Sequence, residues 1–389
     1  MGRKYEIISA DGHIEVPPER WTHYLPAKYQ DRKPHTVKLD DGREAVHLGD
    51  HEYTIGMVIR ADIDDDIFIR QNGDHFHNPD GSNRPGTGKA AQRLQEQDRD
   101  GIDAEILNAP GSGPRFALNV LKDGDKEFYA AIIGSYNTWL AEEYCATAPD
   151  RLIGIAAQNE IGLEDGILEM ERCKKMGLNL AGLSSWPNGS PYYQTGDEKF
   201  FAAMTDLDML ISPHSNFGAS APRAGAGSGD LETVLYHRAA GPCYAVSQLI
   251  VQGIFDKVPN GKIYFGETYV SWFPITFNRM DEHYMRRRAF YDFNLRKLPS
   301  EYIRDHMSFS FIHERQAMPL RHYIGLDNVM WGSDFPHNVN TFPHSLASLD
   351  EMMKDVPEAE KRAVLVDTPC KWFQLDANAD ITPTPTSIE

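Results

Sequence analysis

Cysteine is scarce. Cys145, Cys173, Cys243 and Cys370 are the only four, and none lies at the spacing of a metal knuckle or a redox pair. This rules out a disulfide framework and leaves them as buried thiols of a reducing compartment, so a cytoplasmic location is expected. Positive charge is also short, with 39 Lys and Arg against 57 Asp and Glu and a net charge of −18. Nucleic acid and anionic membrane both reward a basic surface, so neither is expected as a partner. No apolar run approaches the ~20 residues of a membrane span. The opening Met1–Ile7 has no signal-peptide hydrophobic stretch, and Glu6 is incompatible with a myristoylation signal. At 389 residues, 41% hydrophobic and 25% charged, the composition is that of an ordinary globular chain. Histidine, by contrast, is plentiful: there are 15, several of them just past apolar runs.

Eight apolar, β-rich segments read as strands: Tyr5–Ala10, Ala104–Ala109, Arg151–Gln158, Leu180–Trp186, Met209–Ser215, Lys262–Glu267, Met307–Ile312 and Asn328–Gly332. Helical patterns cover Lys89–Gly101, Lys126–Thr147, Leu163–Met176, Glu198–Leu207, Leu231–Phe255, Ile275–Arg288 and Ser345–Lys354. Strands alternating with helices, several of them continuous apolar runs, predict an α/β fold: a (β/α)8 TIM barrel spanning residues 1–376. A doubly wound sheet would usually carry a nucleotide fingerprint after its first strand, where this chain has Asp11-Gly-His13. An insertion at about 32–89 separates the first two strands. It holds an inserted β-hairpin turning at Asp41-Gly42, then a polar loop over Arg70–Lys89. Gly218–Asp230 is rich in Gly and Ala and reads as a mobile lid in preference to a phosphate loop. Residues 377–389 form a tail, disordered or laid over a neighbouring subunit.

Catalytic groups of such a barrel sit at the C-terminal ends of the strands. Those ends supply Asp11 and His13, then His214, then Glu267, then Asp334 with His337 close behind in Trp331-Gly-Ser-Asp-Phe-Pro-His337. Asp11 and His13 are two apart and leave the same face of a strand. Three carboxylates converging with three imidazoles would be costly to desolvate unless a cation offset them, so the pattern predicts divalent metal. His75 and His77 lie on a loop that either reaches the site or is simply solvated. Trp186, Phe217, Trp272, Phe273 and Phe335 either wall the pocket or pack the barrel top. Arg223 on the lid is a possible carboxylate partner, though a solvated charge is the simpler reading. Arg286–Arg288 fits a helix C-terminus.

The Asp-x-His of strand one, the His of strand five and the Asp of strand eight resemble the amidohydrolase superfamily. The similarity is greatest to its branch that includes aminocarboxymuconate-semialdehyde decarboxylase, with Asp11 standing where the superfamily has the first His of His-x-His. Asp98-Arg-Asp-Gly-Ile-Asp-Ala-Glu105, Tyr136-Asn-Thr-Trp-Leu140 and Ala148-Pro-Asp-Arg-Leu152 support it, and the resemblance runs from about Tyr5 to Leu375. There are two departures. Glu267 replaces the usual His on strand six, and strand four, Leu180–Trp186, has no lysine for a metal-bridging carbamate.

The resemblance implies that Asp11, His13, His214 and Asp334 bind metal. Glu267 would bridge to or bind a second ion, and His337 would complete that second site. Glu267, Asp334 and His337 are the candidate catalytic groups. Three carboxylates suit two ions of Fe or Mn, with Zn as the alternative. The favoured expectation is a dinuclear monooxygenase that uses O2 to hydroxylate a small organic or amino acid, as in a subgroup that includes an enzyme acting on 2-aminoisobutyrate. The alternative is a mononuclear Zn or Mn hydrolase or nonoxidative decarboxylase. A homo-oligomer, or a heteromer with a homologous subunit, is expected.

Overall fold

A computed structural model describes residues 2–55, 73, 75–121, 124–214, 217–218 and 231–387, without the side chains of 231–240. The first strand, β1 (Ile8–His13), is followed by a three-stranded antiparallel sheet of β2 (His35–Lys38), β3 (Glu44–Leu48) and β4 (His51–Thr54). The barrel continues with β5 (Ala104–Asn108), β6 (Leu152–Ala156), β7 (Leu180–Leu183), β8 (Leu210–Pro213), β9 (Ile263–Phe265), β10 (Met307–Phe311) and β11 (Val329–Trp331). These strands are parallel and hydrogen-bonded in the order β1-β5-β6-β7-β8-β9-β10-β11. The seam closes just past the last strand. Gly12 bridges Phe335, the His13 N–H donates to the Phe335 carbonyl at 2.8 Å, and the Asp334 N–H donates to the Asp11 carbonyl at 3.0 Å. This register brings the two motifs from opposite ends of the chain side by side.

All eight strands fall where the apolar runs place them, but their ends differ. β1 starts at Ile8 and carries its extended backbone through the Asp-Gly-His motif, with an irregularity between Ser9 and Gly12. β9 stops at Phe265 and β11 at Trp331 because the chain turns into left-handed backbone at Glu267 (φ 53°) and Asp334 (φ 58°). Both carboxylates therefore sit on turns beyond their strands. Such backbone is costly for a residue with a side chain, and it concentrates at functional sites.

Each predicted helix is present, with two changes. The one over Lys126–Thr147 is α-helical to Trp139 and then winds on through wider and tighter turns to Thr147. The one over Leu231–Phe255 breaks at Gly253, whose φ of 64° ends the first helix at Val251 and starts another at Ile254. Helices at Phe116–Leu121, Pro299–His306, Ala317–Ile324, Glu358–Arg362 and Thr368–Phe373 were not anticipated. They are short, and three of them carry Pro at a first or internal turn. The predicted hairpin is a three-stranded sheet because the Gly49-Asp50 turn (Gly49 φ 60°) adds β4. No helix among the described residues is long and apolar enough to cross a membrane.

The tail corrects an expectation, since it is laid on its own barrel. Thr382 bonds the Asp150 carboxylate through its N–H and hydroxyl, both at 2.6 Å, and Thr384 accepts from Arg151 at 2.7 Å. The Ile381 N–H reaches the Arg3 carbonyl at 2.9 Å. The predicted lid, apart from Gly218, and Arg223 lie outside the described residues, as does part of the Arg70–Lys89 loop. The described part of that loop is tacked to the hairpin by Glu44, whose carboxylate accepts from the backbone of Phe76 and His77.

Candidate metal centre

Asp11, His13, His214, Glu267, Asp334 and His337 meet in one cluster at the C-terminal mouth of the barrel. His13 Nε2 lies 3.2 Å from Asp334 Oδ1 and 3.8 Å from Asp11 Oδ1. His214 Nε2 lies 3.5 Å from Asp11 Oδ1 and 3.6 Å from Glu267 Oε2. The rings of His13 and His214 meet edge-on with centroids 4.8 Å apart, and His337 stacks on His13 at 3.7 Å. Three overlapping donor sets result: Asp11–His13–His214, His13–Glu267–Asp334 and His13–Glu15–His337, each with its ligand atoms within 4.8 Å of one another.

Asp11 and Asp334 are wholly buried. Burial drives the His13 pKa well below the usual imidazole value, and the neighbouring His337 pushes it the same way, so His13 keeps a lone pair for coordination. Burial opposes ionisation of Asp334, but the charge of His337 and close polar contacts with both imidazoles outweigh it and hold the carboxyl below its usual range. His337 is driven the other way. Burial disfavours its cation, yet Asp334 and then Glu15 outweigh that and raise its pKa well above normal. Close as these groups are, His13 Nε2 and both Asp334 carboxylate oxygens are buried without a partner of hydrogen-bond geometry among the described residues. Buried polar atoms left this way call for an ion. An anionic oxygen and imidazole donor set fits a divalent cation, Mn, Fe or Zn.

His337, expected to complete a second ion's site, stands in the His13–Glu15–His337 donor set. Its Nδ1 faces Asp334 Oδ1 at 3.0 Å and its Nε2 faces Glu15 Oε1 at 3.5 Å, so both ring nitrogens address carboxylates. Glu15 was missed, although Asp11-x-His13-x-Glu15 continues the same alternation. Asn108 was missed as well; its amide donates to Asp11 Oδ1 at 2.9 Å and fixes that carboxylate from the end of β5.

The framework holding these groups lies deeper in the chain. Buried Arg93 donates to Glu105 at 2.6 and 3.1 Å, and to the carbonyls of His13 and Phe335 at 3.0 Å each, clamping both sides of the seam. Gly332 admits close approach: a Cβ there would lie 2.5 Å from Asp11 Cβ and 2.7 Å from the Asp11 nitrogen. The Glu267 N–H donates to Ser310 Oγ at 3.0 Å, Ser310 Oγ lies 2.9 Å from the Tyr264 hydroxyl, and that hydroxyl donates to the Ala10 carbonyl at 2.5 Å. Glu314 accepts from the N–H groups of Val270 and Ser271 at 2.8 Å each, holding the loop that carries Glu267.

The cluster opens on a cavity of about 570 Å³, lined by His13, His214, Glu267 and His337 together with Glu15, Asn108, Arg115, Tyr53, Tyr129 and Glu160. None of the five aromatic residues considered as walls lines it among the described residues. Trp186 packs on Phe217, Trp272 on Phe273, and Phe335 on Phe342. His77 pairs with Glu44 at 3.0 Å, and neither it nor His75 joins the donor sets. Arg286 and Arg287 close a helix as expected.

The family profile described as amidohydrolase matches residues 75–375. A 2-amino-3-carboxymuconate-6-semialdehyde decarboxylase of Dictyostelium discoideum is 24% identical over 292 residues, covering 74% of this chain and 77% of its own length. An amidohydrolase of Mycobacterium avium subsp. paratuberculosis superposes with a TM-score of 0.72 at 18% identity, covering 95% of this chain and 99% of its own. A 5-carboxyvanillate decarboxylase of Novosphingobium aromaticivorans, complexed with manganese, superposes at 0.59 with 21% identity, covering 73% and 80%.

Proposed function

The chain belongs to the amidohydrolase family, and from that premise we propose that it is a mononuclear metal-dependent decarboxylase, removing CO2 from a small carboxylic acid without an oxidant. The observation that carries the reading is the overlap of the donor sets on His13. An imidazole nitrogen has one lone pair and serves one ion. Because the same Nε2 of His13 faces Asp334 Oδ1 at 3.2 Å and Asp11 Oδ1 at 3.8 Å, the sets favour a single centre, held by Asp11, His13, His214 and Asp334 with Glu267 beside it. The relatives that are decarboxylases, one of them complexed with manganese, support the same chemistry. Neither they nor the second nitrogen of His337, turned to Glu15, favours the two-ion, O2-activating expectation.

When bound, a divalent cation supplies Lewis-acid polarisation and orients the substrate. The remaining work belongs to the chain. Loss of CO2 breaks a C–C bond, leaves the electron pair on the substrate carbon and requires one proton to replace the carboxylate. His337 lines the cavity beside the cluster, between the carboxylates of Asp334 and Glu15, which place it to deliver this proton. The ring regains its proton from water entering the cavity it lines. Asn108 keeps Asp11 oriented, and Pro110, Pro114, Leu118 and Leu183 exclude water from the cavity wall.

The test is CO2 release from a panel of aromatic and unsaturated carboxylic acids under strict anaerobiosis, by protein loaded with one Mn per chain. Turnover without O2 is expected. Activity only with O2 and two ions per chain would replace this reading with the hydroxylase.

A further inference from the structure

His337 stands on the loop that follows β11, and a helix from much earlier in the chain grips that loop. Arg93, Glu96 and Asp100 lie three and four residues apart within Ala90–Asp100, so one face of the helix presents all three. Arg93 donates to the Phe335 carbonyl at 3.0 Å and lies 4.5 Å from the centroid of its ring. Asp100 accepts from the Ser345 N–H at 3.0 Å and from the Ser345 hydroxyl at 2.6 Å. Between these two contacts Glu96 reaches the loop by way of Gly86. Its carboxylate oxygens accept from the Gly86 N–H at 3.1 and 3.2 Å. Gln92, one turn earlier, donates to the same carboxylate at 2.8 Å and to the Arg84 carbonyl at 3.0 Å.

Gly86 is the point of contact. Its φ of 78° and its lack of a side chain let its backbone lie against Pro336, where a Cβ would stand 2.3 Å from Pro336 Cγ and 2.4 Å from Pro336 Cβ. Thr87 closes the turn, its hydroxyl donating to the Phe76 carbonyl at 2.7 Å. The two residues before His337 are thus both held from this helix, Phe335 by Arg93 directly and Pro336 by Glu96 through Gly86. His337 itself has its Nδ1 3.0 Å from Asp334 Oδ1 and its Nε2 3.5 Å from Glu15 Oε1, a placement that depends on where the loop sits. A displacement of about 1 Å in a group that transfers a proton costs up to about a hundredfold in rate.

We propose that Glu96 is a positioning residue: it clamps Gly86 on Pro336, so that the helix Ala90–Asp100 braces the loop after the last strand and holds His337 where it delivers its proton. The catalytic half rests on the decarboxylase reading above, whereas the brace does not. Glu96 is not among the described residues that line the cavity, so it acts on the loop and not on substrate.

The test compares Glu96→Ala and Glu96→Gln with wild type, each as the Mn-loaded full chain. Amide hydrogen exchange is followed by mass spectrometry over 333–345, where the His337 N–H bonds the Asp334 carbonyl and the Thr341 N–H bonds the Ser333 carbonyl. Exchange there should be about tenfold faster in Glu96→Ala, the effect of one lost charge-assisted bond, with the barrel strands unchanged. Glu96→Gln keeps an acceptor for Gly86 and should stay within about threefold of wild type. In CO2 release, kcat should fall at least about tenfold in Glu96→Ala with KM within about twofold, and Glu96→Gln should recover most of the loss. Wild-type exchange of the loop in Glu96→Ala overturns the brace. Faster exchange with unchanged kcat, or a loss confined to KM, overturns the positioning of His337 and leaves the decarboxylase reading standing. If wild type releases CO2 from no acid of the panel, the decarboxylase reading falls and the catalytic half of the proposal with it, while the exchange result still decides the brace.

Discussion

Replacing Arg93 with methionine perturbs the barrel seam in a way whose cost follows from its contacts. The guanidinium is about 1% exposed and pairs with an equally buried Glu105. It also satisfies the His13 and Phe335 carbonyls and lies 4.5 Å from the centroid of the Phe335 ring. Methionine keeps most of the stem volume but leaves Glu105 with Gln97 at 2.9 Å as its remaining close donor. Breaking one side of a buried ion pair costs about 3–5 kcal/mol because the other charge is stranded. Losing the donor to the His13 carbonyl adds about 1 kcal/mol before overlap between the terms is allowed for, while the Phe335 carbonyl keeps the His13 N–H. A loss of about 4–6 kcal/mol is expected in urea unfolding followed by tryptophan fluorescence, a large part of the ~5–15 kcal/mol typical of folded domains. Arg93→Met with Glu105→Leu removes both charges and should recover about half of that loss. A single variant within about 1 kcal/mol of wild type, or a double variant no more stable than the single, would refute this account of the seam.

Gly332→Ala forces a methyl group against the backbone of Asp11. Overpacking of this kind costs about 1–3 kcal/mol, so Mn affinity in a chelator competition should fall at least about fivefold, and unchanged affinity would count against the site geometry. Ser310→Ala removes the acceptor of the Glu267 N–H, and turnover should fall about tenfold with stability reduced by about 1 kcal/mol; equal turnover would mean that the turn holds Glu267 unaided. Glu96 is half-buried, and burial pushes its carboxyl up to about 7. The folded chain then holds that proton more tightly than the unfolded chain, so the stabilisation is complete below the usual 4.5 and is lost as pH rises through about 7. Glu96→Gln should flatten this slope and be more stable than wild type at pH 8 by about 1–2 kcal/mol after allowance for solvent, and parallel pH profiles for the two proteins would contradict it.

The barrel was legible because its strands are apolar runs and its ligands sit at their ends, a placement set by the architecture itself. Less legible was where each strand stops. Left-handed backbone at Glu267 and Asp334 is imposed by tertiary contacts, such as Ser310 and the Asp11 carbonyl, that no local propensity reports. Glu15 could have been found by extending the alternation of Asp11 and His13 by one more step. Arg93 could not, because within Ala90–Asp100 it reads as one more polar residue on a solvated helix face. The aromatic residues at the mouth misled in part because a strand-end position does not say which way a ring turns. Tail composition misled for a related reason: short hydroxyl side chains such as Thr382 and Thr384 bond the chain's own Asp150 and Asp98 as readily as a partner's groups.

The central claim is one divalent ion at the crossing of Asp11, His13, His214 and Asp334. An anomalous difference map from crystals grown with Mn tests it directly. The account predicts one peak per chain, about 2.2 Å from His13 Nε2, His214 Nε2 and an oxygen of each aspartate, with His337 turned to Glu15. Two peaks ~3.5–4 Å apart, bridged by Glu267 and reaching His337, would contradict it.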